Sequence, residues 1–344
     1  MTRRINWLTT TVMARGALMR GALMRAALMG GALAIPLASG AQAAGSIAKS
    51  CGPNDHYTIG FSQANFKEPY RAAMNQDLER MIKQYPQFKI VIADGQANDN
   101  TQVSQAENFL TQQVDMLFIS AFEAAPLTPI VNRFMKAGTP VIEIDRKTVG
   151  TNYTSFVTGD NRAIAKEAGQ YAATKLLPEG GEVAILEGLP SSSPAIERLE
   201  GFKDGISVNP KLKVVAVQPV DWMQDKAVTV FGAMLQSHPD IKLVYACNDL
   251  AAAGAYIAVK QAGKLGQVKI IGTDGLPGPS GGMRSVADGQ WAATYTYPTG
   301  AAEALDLAKK ILIDCATEVP RTVTVPSQRI DQSNAKDLFN KQQF

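Results

Sequence analysis

The sequence predicts an α/β protein built as two doubly wound, parallel-sheet lobes, and three observations lead there. Short apolar runs alternate with amphipathic segments along almost the whole chain. The runs are continuously apolar, the pattern of strands covered by helices on both faces. Roughly ten such units in 344 residues, 46% of them hydrophobic, exceed one sheet and suffice for two cores.

The first 43 residues stand apart from this alternation. They hold Arg3, Arg4, Arg15, Arg20 and Arg25 with no acid, then "AALMGGALAIPLA" and "AQA" at 41–43. The apolar stretch falls short of the roughly 20 residues a membrane-spanning helix needs and ends in small side chains, so it reads as a secretory leader cut near Ala43. A tandem "RGALM", "RGALM", "RAALM" fits no helical or coiled-coil period and reads as a lengthened basic region.

From Tyr57 the strand-like runs are "YTIGFS", "KIVIADG", "MLFISA", "PVIEID" and "TSFVTGD", separated by helical patterns over 69–85, 101–113, 124–137 and 161–177. Asp160 and Asn161 supply cap chemistry for "RAIAKEAG". A second series follows: "EVAILEG", "KVVAVQP", "LVYACND", "VKIIGTDG" and "WAATYTYP", with helices near 194–208, 224–237, 249–263, 279–288 and 299–314. In "GLPSSSP", Ser192 or Ser193 caps the helix that opens at Pro194. Three apolar runs end alike, in "VIEIDRK", "YACNDL" and "IIGTDG". Ligands of doubly wound sheets sit outside the carboxyl ends of the strands. Asp145 with Arg146, Asn248 with Asp249, and Asp274 therefore mark the rim of a cleft.

Several functions are excluded. The chain is formally +3, but five of its 34 basic residues lie in the leader, leaving 29 against 31 acids. No surface for nucleic acid or anionic membrane is implied. His56 and His238 are the only histidines, and there is no CxxC, P-loop or GxGxxG. No enzyme chemistry, metal or cofactor is expected. Glu68, Glu123, Asp145 and Asp274 are matched by Arg71, Arg146 and Arg198. Such a balanced set suits a neutral, hydroxyl-rich ligand, since carboxylates accept from hydroxyls and guanidinium groups donate to them.

The ordered landmarks "IGFSQANFKEPYR", "IADGQ", "PVIEIDRK", "GDN", "AIERLEGF", "QPVDW", "HPDIKLVYACND", "AGAYIAVKQAG" and "IIGTDG" span roughly 55–325. In these the chain resembles the periplasmic sugar-binding proteins of ATP-driven (ABC) importers, in the ribose and galactofuranose branch. The resemblance implies the type I periplasmic binding fold, two lobes joined by a three-segment hinge. Residues 44–159 with 297–324 would form the first lobe and 160–296 with 325–344 the second. The implied ligand set is Ser62, Glu68, Tyr70, Ser120, Asp145, Arg146, Arg198, Trp222, Asn248, Asp274 and Thr296, with Tyr297 as an alternative to the last. Glu68 and Ser120 stand where ribose binders use amides, and Arg71 and Thr273 where they carry aromatics. The site is thus more polar, and a larger sugar, a sugar acid or a polyol fits as well as ribose. The implied role is a monomeric periplasmic receptor that hands its ligand to an ABC permease in the inner membrane. The alternative is a receptor serving a chemoreceptor or sensor kinase without transport. Cys51 precedes the first strand and Cys315 ends the helix before the last one, so in this fold both reach the far pole of the first lobe and a Cys51–Cys315 bridge is expected.

Overall fold

The computed structural model describes residues 47–278 and 281–341, so the leader lies outside the described residues. Twelve strands follow in chain order: β1 (Tyr57–Gln63), β2 (Phe88–Asp94), β3 (Met116–Ile119), β4 (Val141–Ile144), β5 (Ser155–Gly159), β6 (Gly181–Glu187), β7 (Leu212–Pro219), β8 (Ile241–Ala246), β9 (Lys269–Ile271), β10 (Ala293–Tyr295), β11 (Thr322–Val325) and β12 (Arg329–Asp331). They form two six-stranded sheets, ordered β11-β5-β4-β3-β1-β2 and β12-β10-β9-β8-β6-β7. Between them lie α1 (Pro69–Met81), α2 (Asp99–Thr111), α3 (Ala124–Lys136), α4 (Asn161–Tyr171), α5 (Ser193–Ile206), α6 (Gln224–Ser237), α7 (Asp249–Gln261), α8 (Gly282–Ala287), α9 (Ala301–Ala308) and α10 (Ala335–Lys341). None of the described helices is long and apolar enough to cross a membrane.

The cores follow from the patterning. Ile59, Phe61, Met116, Phe118, Ile142 and Ile144 are fully or almost fully buried in the first sheet, and Val183, Ile185, Leu243 and Tyr245 in the second. Burying one such side chain contributes roughly 1.5–3 kcal/mol. The chain passes between the sheets three times: from β5 into α4, which packs on α5, from β10 into α9, which packs on α1, and from β11 into β12. Cys51 and Cys315 form a disulfide across 264 residues, with Cα atoms 5.4 Å apart. Cys247 is a buried free thiol.

The structure corrects several expectations. Not every strand is parallel: β12 runs antiparallel to β10. β12 is entered from β11 of the other sheet across residues 326–328, not from a helix covering its own sheet. α2 starts at Asp99, ahead of the expected 101, because Asn98 caps it by accepting from the Thr101 N–H at 3.0 Å. α1 gives way to a 3₁₀ turn after Met81. α4 and α9 each end in a π-helical turn. α10 was not foreseen.

Candidate functional site

The strand ends of both sheets face one cavity of about 390 Å³ of empty space, part of it open to solvent. From the first sheet come Glu68, Pro69, Tyr70 and Arg71 at the start of α1, and Asp145 and Arg146 beyond β4. From the second come Pro194 and Arg198 of α5, Trp222 beyond β7, Asn248 and Leu250 at the start of α7, and Asp274 and Leu276 beyond β9. Tyr297 closes the set from the β10–α9 crossing.

Asp145 is its electrostatic centre. Arg71, 2% exposed, donates from Nη2 to Asp145 Oδ2 at 2.6 Å and from Nη1 to Ser120 Oγ at 2.7 Å. Burial alone would raise the Asp145 carboxyl, but Arg71, Arg146 and Arg198 outweigh it and hold it below the usual carboxylate range. Arg146 has only distant counterions, Glu68 at 3.6 Å and Asp145 at 3.8 Å. Burial, and Arg71 beside it, lower its guanidinium to about 10, so it is still charged at neutral pH. Arg198 donates from Nε to Asn161 Oδ1 at 2.8 Å and from Nη1 to the Cys247 carbonyl at 2.5 Å, with Asp274 at 3.5 Å. Burial pushes the Asp274 carboxyl well up, against the opposing pull of Arg198.

The aromatic wall depends on glycines at strand ends. A Cβ on Gly188 would lie 2.2 Å from the Trp222 ring, and one on Gly159 2.5 Å from the Tyr297 ring. Arg146 and Arg198 stack on Trp222 at 5.4 and 5.8 Å, and Arg198 on Tyr297 at 4.5 Å. Asp145, Trp222 and Asp274 all have positive φ (63°, 68° and 130°). Strain of this kind, about 1–3 kcal/mol each, concentrates at ligand clamps. Three buried donors on the lining lack a hydrogen-bond partner: Arg71 Nε, Arg146 Nε and Trp222 Nε1. Together the walls offer unpaired donors, carboxylate acceptors and a ring face. Among the described residues no group of His, Cys, Asp and Glu is placed to hold a metal ion.

Eight of the eleven expected residues line the cavity: Glu68, Tyr70, Asp145, Arg146, Arg198, Trp222, Asn248 and Asp274. Three do not. Ser62 is buried with its hydroxyl unpartnered, and Ser120 lies behind Arg71 as its acceptor. Thr296 turns to the β11–β12 crossing, where Oγ1 accepts from the Gln328 N–H at 2.9 Å. Tyr297 takes the cavity position instead. Arg71 and Leu276 were outside the expected set. The signal for Arg71 was its place one turn after Glu68, at i, i+3.

Ser192 takes the N-cap position of α5, but its side chain does not cap the helix: it donates its hydroxyl to the Leu189 carbonyl at 2.7 Å. Its neighbours join the two sides of the cleft. The Lys147 N–H donates to Ser193 Oγ at 3.2 Å, the Ala124 N–H to the Ser191 carbonyl at 3.3 Å, and Lys147 Nζ lies 3.1 Å from Glu197.

Comparison with known proteins adds to this geometry. A family model described as a periplasmic binding protein domain matches residues 59–313. The ribose import binding protein of Bacillus subtilis is 31% identical over 281 residues, 80% of this chain and 87% of that protein. The galactofuranose-binding protein of Escherichia coli is 28% identical, covering 83% of this chain and 91% of its own. Among solved structures, the fructose-binding periplasmic domain of a hybrid two-component system superposes with a TM-score of 0.80 at 34% identity, over 83% of this chain and 94% of that one.

Proposed function

This chain belongs to the family of periplasmic binding protein domains, and on that premise we propose that it captures a monosaccharide, or a related polyol or sugar acid, in the cavity between its lobes and delivers it to an ABC permease in the inner membrane. The observation that carries the reading is the cavity wall. Three arginines and three carboxylates drawn from both sheets balance one another around the Trp222 and Tyr297 rings, with three donors left over. A sugar supplies the complement: hydroxyl and ring oxygens for those donors, hydroxyl protons for Asp145 and Asp274, and a C–H face for the rings. It touches both lobes only when they are shut, so binding shifts the population towards the closed form. The arginine-rich first 43 residues are the leader that exports the chain, and it acts as a monomer.

Differential scanning fluorimetry against pentoses, hexoses, sugar acids and polyols tests this. One class is expected to raise the melting temperature, since a ligand at 100 times its Kd adds about 2.7 kcal/mol to the native state. No shift with any member would sink the reading.

The likeness to a domain of a hybrid two-component system favours a second role, presentation of the closed form to a sensor kinase. ATP hydrolysis by the neighbouring ABC permease in proteoliposomes separates the two. A transport receptor stimulates it when sugar is present, and a purely sensory one leaves it unchanged.

A further inference from the structure

Asp249 stands beside a cavity residue without lining the cavity itself. After β8 the chain places Asn248 on the cavity wall, where its side chain also caps α7 by accepting from the Ala251 N–H at 2.9 Å. The next side chain, Asp249, is 4% exposed and embedded in the second lobe. Its Oδ2 accepts from the backbone N–H groups of Leu276 at 3.0 Å and Gly282 at 3.1 Å. Its Oδ1 accepts from the Thr294 hydroxyl at 2.7 Å. One carboxylate thus ties together the start of α7, the segment after β9, the start of α8 and strand β10. The surroundings are shaped for it. A Cβ on Gly282 would lie 2.3 Å from Oδ2, and one on Gly272 2.7 Å from Oδ1. Two attached residues form the cavity wall: Leu276, held directly, and Asp274, whose Oδ2 accepts from the Asp249 N–H at 3.4 Å.

We infer that Asp249 is a positioning residue of the ligand site, whose carboxylate holds the segment carrying Asp274 and Leu276 and thereby sets how firmly the sugar is gripped. The affinity part rests on the sugar-binding reading above; the holding part does not. Arg198 on α5 and Asp274 beyond β9 are the charged groups that face the Asp249 carboxyl. Burial pushes that carboxyl up to about 7, against the Thr294, Leu276 and Gly282 donors and Arg198. An ionised carboxylate accepts from all three donors, whereas a protonated one gives up an acceptor position. The wall is therefore tightest above about pH 7 and slackens below it.

Asp249→Asn and Asp249→Ala in the mature chain test this in two ways. Amide hydrogen exchange without ligand is expected to speed up at least tenfold at Leu276 and Gly282 in the alanine variant and to stay near wild type in asparagine, which keeps an acceptor. Calorimetry with D-ribose and D-fructose is expected to show several-fold tighter wild-type binding at pH 8 than at pH 6. That dependence should shrink in Asp249→Asn, what is left belonging to Asp274, with weak binding at both pH values in Asp249→Ala. Slow exchange persisting in the alanine variant, or an unchanged pH profile in the asparagine variant, overturns the inference. A wild type that binds neither sugar while the exchange results hold supports the holding role and counts against the sugar reading instead.

Discussion

Asp145 and Arg71 belong together, although 74 positions separate them in the chain. Taking the acid away leaves Arg71 and Arg146 buried with only Glu68 between them as a counterion, a loss of the kind that costs up to about 3–5 kcal/mol. Asp145→Asn is therefore expected to lower the urea midpoint of the ligand-free protein and to erase the sugar-induced thermal shift. An unchanged midpoint would mean that the pair is not the electrostatic centre described. Asp145, Asn248 and Asp274 were legible in the sequence because each lies within three residues of the end of an apolar strand. Thr296 was misread for a simple reason. Successive residues of an extended segment point to opposite sides, so a one-position slip trades Tyr297 for Thr296. Arg71 was legible as a charge at the site but not as a buried one, because burial of a guanidinium depends on distant partners such as Ser120 and Asp145.

Strand β4 illustrates what an element adds. All four of its residues are buried, including Glu143, whose Oε1 accepts from the Thr148 N–H at 3.1 Å and its hydroxyl at 2.5 Å. Those bonds brace the turn that carries Asp145, Arg146 and Lys147. Burial pushes the Glu143 carboxyl from 4.5 up to about 7. Between those values the native state binds the extra proton, so stability falls as pH rises from about 4.5 to about 7 and levels off above. Glu143→Gln is expected to remove its share of that slope, at most about 3 kcal/mol, in urea titrations at pH 5 and pH 7.5. The remainder belongs to Asp249 and Asp274, which shift the same way. The disulfide works at a second level, fastening the segment before β1 to the end of the α9 region. Replacing both Cys51 and Cys315 by serine is expected to cost about 2–5 kcal/mol in equilibrium unfolding under non-reducing conditions. Strands and helices were readable from apolar runs and their punctuation. The direction of β12 was not, since it depends on the chain's arriving from the other sheet rather than on the strand's own residues.

The two halves are drawn together by Lys147, which reaches Ser193 and Glu197 outside the cavity. Half-exposed ion pairs contribute about 0.2–1 kcal/mol, so Lys147→Ala is expected to weaken sugar affinity by no more than about fivefold. Small-angle scattering should show a larger radius of gyration for that variant without sugar and the wild-type value with it. Equal radii in both states would remove Lys147 from the closing contacts. The order of strands along the chain carries a last consequence. Every strand of the second sheet except β12 is encoded between β5 and β11 of the first. The edge strand β11, and Cys315 just before it, leave the ribosome only after nearly all of the second half has been made. The first half thus cannot be completed or sealed before most of the second has been made. In pulse-labelled chains its protease resistance should appear late and all at once, after that of the half encoded inside it.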